Sequence, residues 1–144
     1  IEGRGLEKTI SINNKRVILI DESYNASPIT MKICINYFQK LKVKKNQKKY
    51  LILGDMYELG HTSNKYHREI IKEVLESNID NVILCGELFK SVLNTMMIKT
   101  GKIMHVSEED EIMQFLKKNL HNNDIILIKG SNSTKVNNFA KMLI

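Results

Sequence analysis

Val17-Ile18-Leu19-Ile20-Asp21-Glu22-Ser23-Tyr24-Asn25-Ala26-Ser27-Pro28 is the stretch whose reading decides the fold. Four apolar residues, three of them β-branched, predict a buried strand. Two carboxylates and a polar turn follow. Ser27 is placed to cap a helix. Pro28, the chain's only proline, suits the first helical position, where no N–H is needed. Met31, Cys34, Ile35, Phe38 and Leu41 then recur at helical spacing. The local unit is strand, polar turn, helix. In open α/β sheets ligands bind beyond the carboxyl ends of strands, where such turns lie. An ordinary βα connection carries the same pattern.

The unit repeats along the chain. Upstream, Thr9 to Ile12 alternates polar and apolar residues as a short edge strand, and Asn13-Asn14-Lys15 signals a hairpin turn. Downstream, strands are predicted at Tyr50–Leu53, Asn81–Cys85, Lys102–Val106 and Asp124–Ile128. Helices are predicted at Asn64–Ser77 and Glu87–Met97. Another follows a Ser107 cap with Asp110 in the capping-box position, and Val136, Phe139, Ala140 and Leu143 mark a closing one. Alternation of this kind predicts an α/β fold, a mostly parallel sheet of about six strands with helices on both faces.

At 144 residues the chain suffices for a single domain with its own core. No apolar run approaches the roughly 20 residues of a membrane span, and no signal-peptide pattern opens the sequence. Cys34 and Cys85 are the only cysteines; one falls on a helix stripe and the other ends a strand. Free thiols in a reducing compartment are the expectation. Net charge is +6, and Lys40, Lys42, Lys44, Lys45, Lys48 and Lys49 crowd one short segment. That run reads as a nucleic-acid patch or as a solvated connection; no aromatic interleaves it before Tyr50.

Three polar loops follow strands, at 21–28, 54–60 and 129–133. If their strands are neighbours, Asp21, Glu22, Tyr24, Asn25, Asp55, Glu58, Lys129 and Ser131 converge. Such a set suits a polar, phosphate-bearing ligand. Neither GxGxxG nor GxxxxGK[ST] occurs, so the usual backbone cradle for a polyphosphate is absent from this sequence. Of four histidines, His61 and His67 are six apart and share no helical face. His67, beside the 54–60 loop, is the one of interest. Cys85 has no evident base partner. Asp55 and Glu58 read equally as ligand groups or as caps of a turn and a helix.

In order and spacing, Gly3-Arg4-Gly5, Asp21-Glu22-Ser23-Tyr24-Asn25-Ala26-Ser27-Pro28, Gly54-Asp55-Met56 through Glu58-Leu59-Gly60, His67, and Lys129-Gly130-Ser131 resemble the C-terminal domain of the Mur ligases. Ser-Tyr-Asn-Ala and Gly-Asp-Met-x-Glu-Leu-Gly are the motifs of the branch that adds D-alanyl-D-alanine to UDP-N-acetylmuramoyl tripeptide. Ile1 to Arg4 also spells an engineered protease site, but cleavage after Arg4 would remove it, which favours native sequence.

The resemblance implies a Rossmann-like fold spanning residues 1–144 as a single domain. The N-terminal UDP-binding and central ATPase domains, its partners, would lie outside. It implies ATP-dependent amide-bond formation through an acyl phosphate in cell-wall precursor synthesis, with Mg2+ held by the central domain. No catalytic residue would belong to this domain alone, which would be inactive by itself. Arg4 would reach the ATP phosphates or ribose, and Glu22 would take the ribose hydroxyls, with Asp21 in support. Tyr24 and Asn25 would line the nucleotide side. Lys129, Gly130 and Ser131 would lie where D-alanyl-D-alanine docks, and Asp55 and Glu58 would shape that loop or face the substrate. No metal ligand, nucleic-acid partner or membrane partner is expected.

Three departures from the family pattern stand out. Asp21-Glu22 replaces Asp-Asp, Asn132 replaces an arginine, and Val136-Asn137 replaces Met-Glu. Loss of the arginine removes a cation suited to a carboxylate. Two other classes remain open: a free-standing basic module for a nucleotide or nucleic acid, and a structural or oligomerising domain.

Overall fold

A computed structural model describes residues 5–131 and 134–143. Arg4, Asn132 and Ser133 lie outside the described residues. The strands are β1 (Leu6–Ile12), β2 (Lys15–Glu22), β3 (Lys49–Gly54), β4 (Asn81–Cys85), β5 (Ile103–Val106) and β6 (Ile125–Lys129). The helices are α1 (Pro28–Lys40), α2 (Ser63–Glu76), α3 (Glu87–Leu93), α4 (Glu109–Asn119) and α5 (Lys135–Leu143). One turn of 3-10 helix, Gly60–Thr62, leads into α2.

The strands form one sheet in the order β1-β2-β6-β3-β4-β5. β1 is antiparallel to β2, and every other pair is parallel. The expected α/β sheet with helices on both faces is what the chain builds. The continuous apolar runs in β3, β4 and β6 follow from this layering, because both faces of a parallel sheet are covered. Leu51, Leu53, Val82, Leu84 and Leu127 pack under α1, α2 and α3. Tyr50, Ile52, Ile83, Ile126 and Ile128 alternate with them and pack under α4 and α5.

Local signals set most element ends. Ser27 Oγ accepts from the Thr30 amide, and the Thr30 hydroxyl accepts from the Ser27 amide, a reciprocal cap at the start of α1. Differences from the sequence expectation are small and have causes. β1 begins at Leu6 rather than Thr9, because it pairs with β2 along its whole length, Leu6 opposite Asp21. Asp21 and Glu22 belong to β2 and not to the turn, because β6 continues the ladder beside them. α3 ends at Leu93, short of Met97. The α4 cap sits one residue later than Ser107, with Glu111 Oε1 accepting from the Glu108 amide.

Candidate functional site

β6 lies between β2 and β3, and in its register Lys129 stands beside Glu22 on one side and Leu53 on the other. The three polar loops therefore leave one edge of the sheet side by side. The lysine-rich run joins the end of α1 to the start of β3, at the opposite edge.

Asp21 and Glu22 face opposite sides of β2, as successive strand residues must. Asp21 is buried on the α5 side. Its Oδ1 accepts from the Ser23 amide at 3.0 Å and the Ser23 hydroxyl at 2.5 Å. Asn137 of α5 donates in turn to the Ser23 carbonyl at 2.9 Å. Glu22, half-buried, faces the α1 side. There it lines an open groove of about 480 Å³ between the β1–β2 ribbon and α1. Gly5, Glu7, Ile33, Cys34 and Tyr37 are among its other wall residues. Ile33 and Tyr37 are 64% and 49% exposed, large apolar surfaces at the lip of the groove. Tyr24 and Asn25 are exposed in the adjoining turn, with Asn25 Oδ1 accepting from the Ala26 amide at 2.8 Å. Lys129 is only 5% exposed, and its ammonium donates to the Asn25 carbonyl at 2.9 Å.

The β3 exit is built just as tightly. Asp55 is buried, and its two carboxylate oxygens accept from the Leu88 and Phe89 amides, each at 3.0 Å. Of the two roles left open for Asp55, it has the capping one, at the start of α3. The Asp55 carbonyl accepts from the Ser131 amide at 3.3 Å, and the Tyr57 amide donates to Ser131 Oγ at 3.3 Å. Glu58 is exposed, with φ of 63°. Gly130 is a packing requirement: a Cβ there would come within 2.3 Å of Val136 and 3.1 Å of the Gly54 Cα. Ser131 is thus the half-exposed polar group of its motif, with Lys129 and Gly130 beneath it.

A second cavity of about 470 Å³ opens beside this assembly, walled by Asp55, Tyr57, Gly86, Glu87, His105 and Lys135. Lys135 is held by Glu108 at 3.1 Å and by the Ser107 carbonyl at 2.7 Å. Glu87, His105 and Lys135, like Ile33 and Tyr37 in the first groove, carry no local sequence signal. They meet the site only through the order of strands. Burial pushes the Cys85 thiol up to about 11 and the Cys34 thiol up to about 12, so neither is a ready nucleophile. Among the described residues no three His, Cys, Asp or Glu side chains gather as a metal site, and no helix is long and apolar enough to cross a membrane.

A family model described as the Mur ligase, glutamate ligase domain matches residues 8–132. The chain belongs to the Mur ligase family. The UDP-N-acetylmuramoyl-tripeptide–D-alanyl-D-alanine ligase of Bacillus subtilis (strain 168) is 32% identical over 128 residues, covering 88% of this chain and 28% of that protein. The MurF ligase of Thermotoga maritima, solved in complex with ADP, superposes with a TM-score of 0.79 at 23% identity. That match covers 99% of this chain and 30% of the other, so the chain spans under a third of the length of both proteins. A solved domain of a ligase from Haemophilus ducreyi matches at TM-score 0.60 and 18% identity, covering 97% of this chain and 96% of that one. A domain of this fold has thus been solved apart from the rest of a ligase.

Proposed function

We propose that this chain is the C-terminal domain, residues 1–144, of an ATP-dependent ligase that adds D-alanyl-D-alanine to UDP-N-acetylmuramoyl tripeptide in cytoplasmic peptidoglycan-precursor synthesis. The observation that carries the reading is Glu22. Of two adjacent carboxylates it alone faces an open groove, and it stands in the motif that marks the family. Its carboxylate has the acceptors that ribose hydroxyls need. Arg4 is assigned to the phosphates or ribose, and Tyr24 and Asn25 to the nucleotide side of the same turn.

On the other side of Lys129, Ser131 and the exposed Glu58 face the incoming dipeptide. Lys129, Gly130 and Asp55 contribute by holding the loops that present them. ATP supplies the activation of the peptide carboxylate, with Mg2+ held by the central domain. The N-terminal domain grips the UDP-sugar. The role of this domain is to close over the nucleotide, deliver the amine and exclude water, which places the reactants within attacking distance.

The test is made in the complete ligase polypeptide. Glu22→Ala should raise KM for ATP about tenfold or more, the loss of a hydrogen-bond pair to a charged group, with KM for the dipeptide unchanged. The isolated domain should show no ligation and only weak heat with ATP in calorimetry. Unchanged ATP kinetics in Glu22→Ala, or tight ATP binding by the isolated domain, overturns the assignment.

A further inference from the structure

We propose that His67 is a positioning residue for the acceptor side of the site, acting through Met56 on the loop segment that holds Ser131. This rests on the reading above that Ser131 faces the dipeptide. His67 is fully buried on α2, with its ring edge-on to Phe89 at 4.6 Å between centroids. A leucine would fill such a place without bringing polar atoms into the core, so the two ring nitrogens need a reason.

Both nitrogens are engaged. Nδ1 lies 2.8 Å from the Ser63 carbonyl, one turn back on the same helix. A carbonyl only accepts, so Nδ1 carries the proton and Nε2 is left as an acceptor. Nε2 takes the Met56 amide at 3.1 Å. Met56 is itself buried and lies just beyond β3, outside the strand ladder. Without His67 its N–H would be an orphan in the core.

The neighbours of Met56 give this hydrogen bond its consequence. Asp55, before it, accepts the Ser131 amide on its carbonyl and caps α3 with its carboxylate. Tyr57, after it, donates its amide to Ser131 Oγ. The Ser131 carbonyl accepts from the Thr134 amide and hydroxyl at 2.9 and 2.6 Å; the contacts on its amide and its Oγ flank the one residue that His67 holds. Asp55 and Tyr57 also wall the second cavity. Releasing Met56 would let both contacts drift together, while Glu22 and the groove under α1 belong to a different loop.

The test is a double-mutant cycle in the complete ligase. His67→Leu should raise KM for D-alanyl-D-alanine about tenfold and leave KM for ATP unchanged. His67→Gln, whose carbonyl can still accept from Met56, should recover most of that loss. In a Ser131→Ala background, His67→Leu should add less than about twofold, because the group it acts through is gone. Equal losses toward ATP and dipeptide, full additivity with Ser131→Ala, or no advantage of Gln over Leu overturns the proposal.

Amide exchange in the isolated domain gives a readout that does not depend on what the enzyme ligates. His67→Leu should speed exchange at Met56, Tyr57 and Ser131, and His67→Gln should not. Acceleration spread evenly over the core under α1, α2 and α3 shows a packing role only and overturns the proposal. A wild-type enzyme that fails to ligate D-alanyl-D-alanine while exchange behaves as expected counts against the proposed function and not against this one.

Discussion

The Lys129 ammonium reaches from the end of β6 to the Asn25 carbonyl at 2.9 Å and joins the turn after β2 to the strand beside it. A nearly buried lysine in a family motif looks like a ligand group. Its hydrogen bond within the chain ties it to the turn after β2.

Lys129→Met keeps an unbranched side chain, one atom shorter, and removes the donor. The Asn25 carbonyl then loses its charged partner, a loss of about 1–3 kcal/mol. Urea denaturation of the isolated domain should show this as a lower midpoint at unchanged slope. A midpoint equal to wild type would mean that the contact contributes nothing.

Gly86 and Asp55 are mutually dependent. Gly86 has φ of 118°, and a Cβ there would lie 2.3 Å from the Asp55 carboxyl carbon. Gly86→Ala should therefore cost about 2–4 kcal/mol, from backbone strain plus overpacking. Asp55→Ala alone removes the α3 cap, about 0.5–2 kcal/mol. The double variant should lose less than the sum, because the clashing carboxylate is gone while the strain remains. Thermal or urea unfolding of the three proteins measures it.

Burial pushes the His67 imidazole below its ordinary 6.5, against the opposing pull of the Ser63 carbonyl and the Asp55 carboxylate. The folded state then takes up this proton at lower pH than the unfolded state. Its contribution to stability is full above about 6.5 and is lost progressively as pH falls from there through the lowered folded value. His67→Gln should remove that part of the slope. Urea midpoints of wild type and variant, followed from neutral to mildly acidic pH, should diverge in slope; parallel curves would refute it.

Cys34 and Cys85 are free and buried, and both thiols are held well above their ordinary range. An alkylating reagent at mildly alkaline pH should leave both unmodified in the native domain and label both in urea. Rapid labelling of either in the native state would contradict the burial seen here.

Much of the fold was legible because its signals are local. The apolar runs, the Ser27-Pro28 cap and the helical stripes name their elements without reference to the rest of the chain. Convergence of the three polar loops was legible only as a condition, since no local pattern says that β6 inserts between β2 and β3. The candidate site was legible through its motif residues. Glu87, His105, Lys135, Ile33 and Tyr37 were not, because ordinary surface residues become cavity walls only when distant strands meet.

The sequence by itself determined the alternation of strands and helices, the α/β class and the family, because periodicity, caps and motif spacing are properties of neighbouring residues. The tertiary structure decided where the motif residues sit and what they touch. It turned Glu22 to an open groove and Asp21 toward α5, and it engaged Lys129 and Asp55 inside the protein. It set His67 behind the loop that holds Ser131. Those assignments depend on which strand lies beside which and on which face a helix covers, and these are fixed by contacts between residues far apart in the chain.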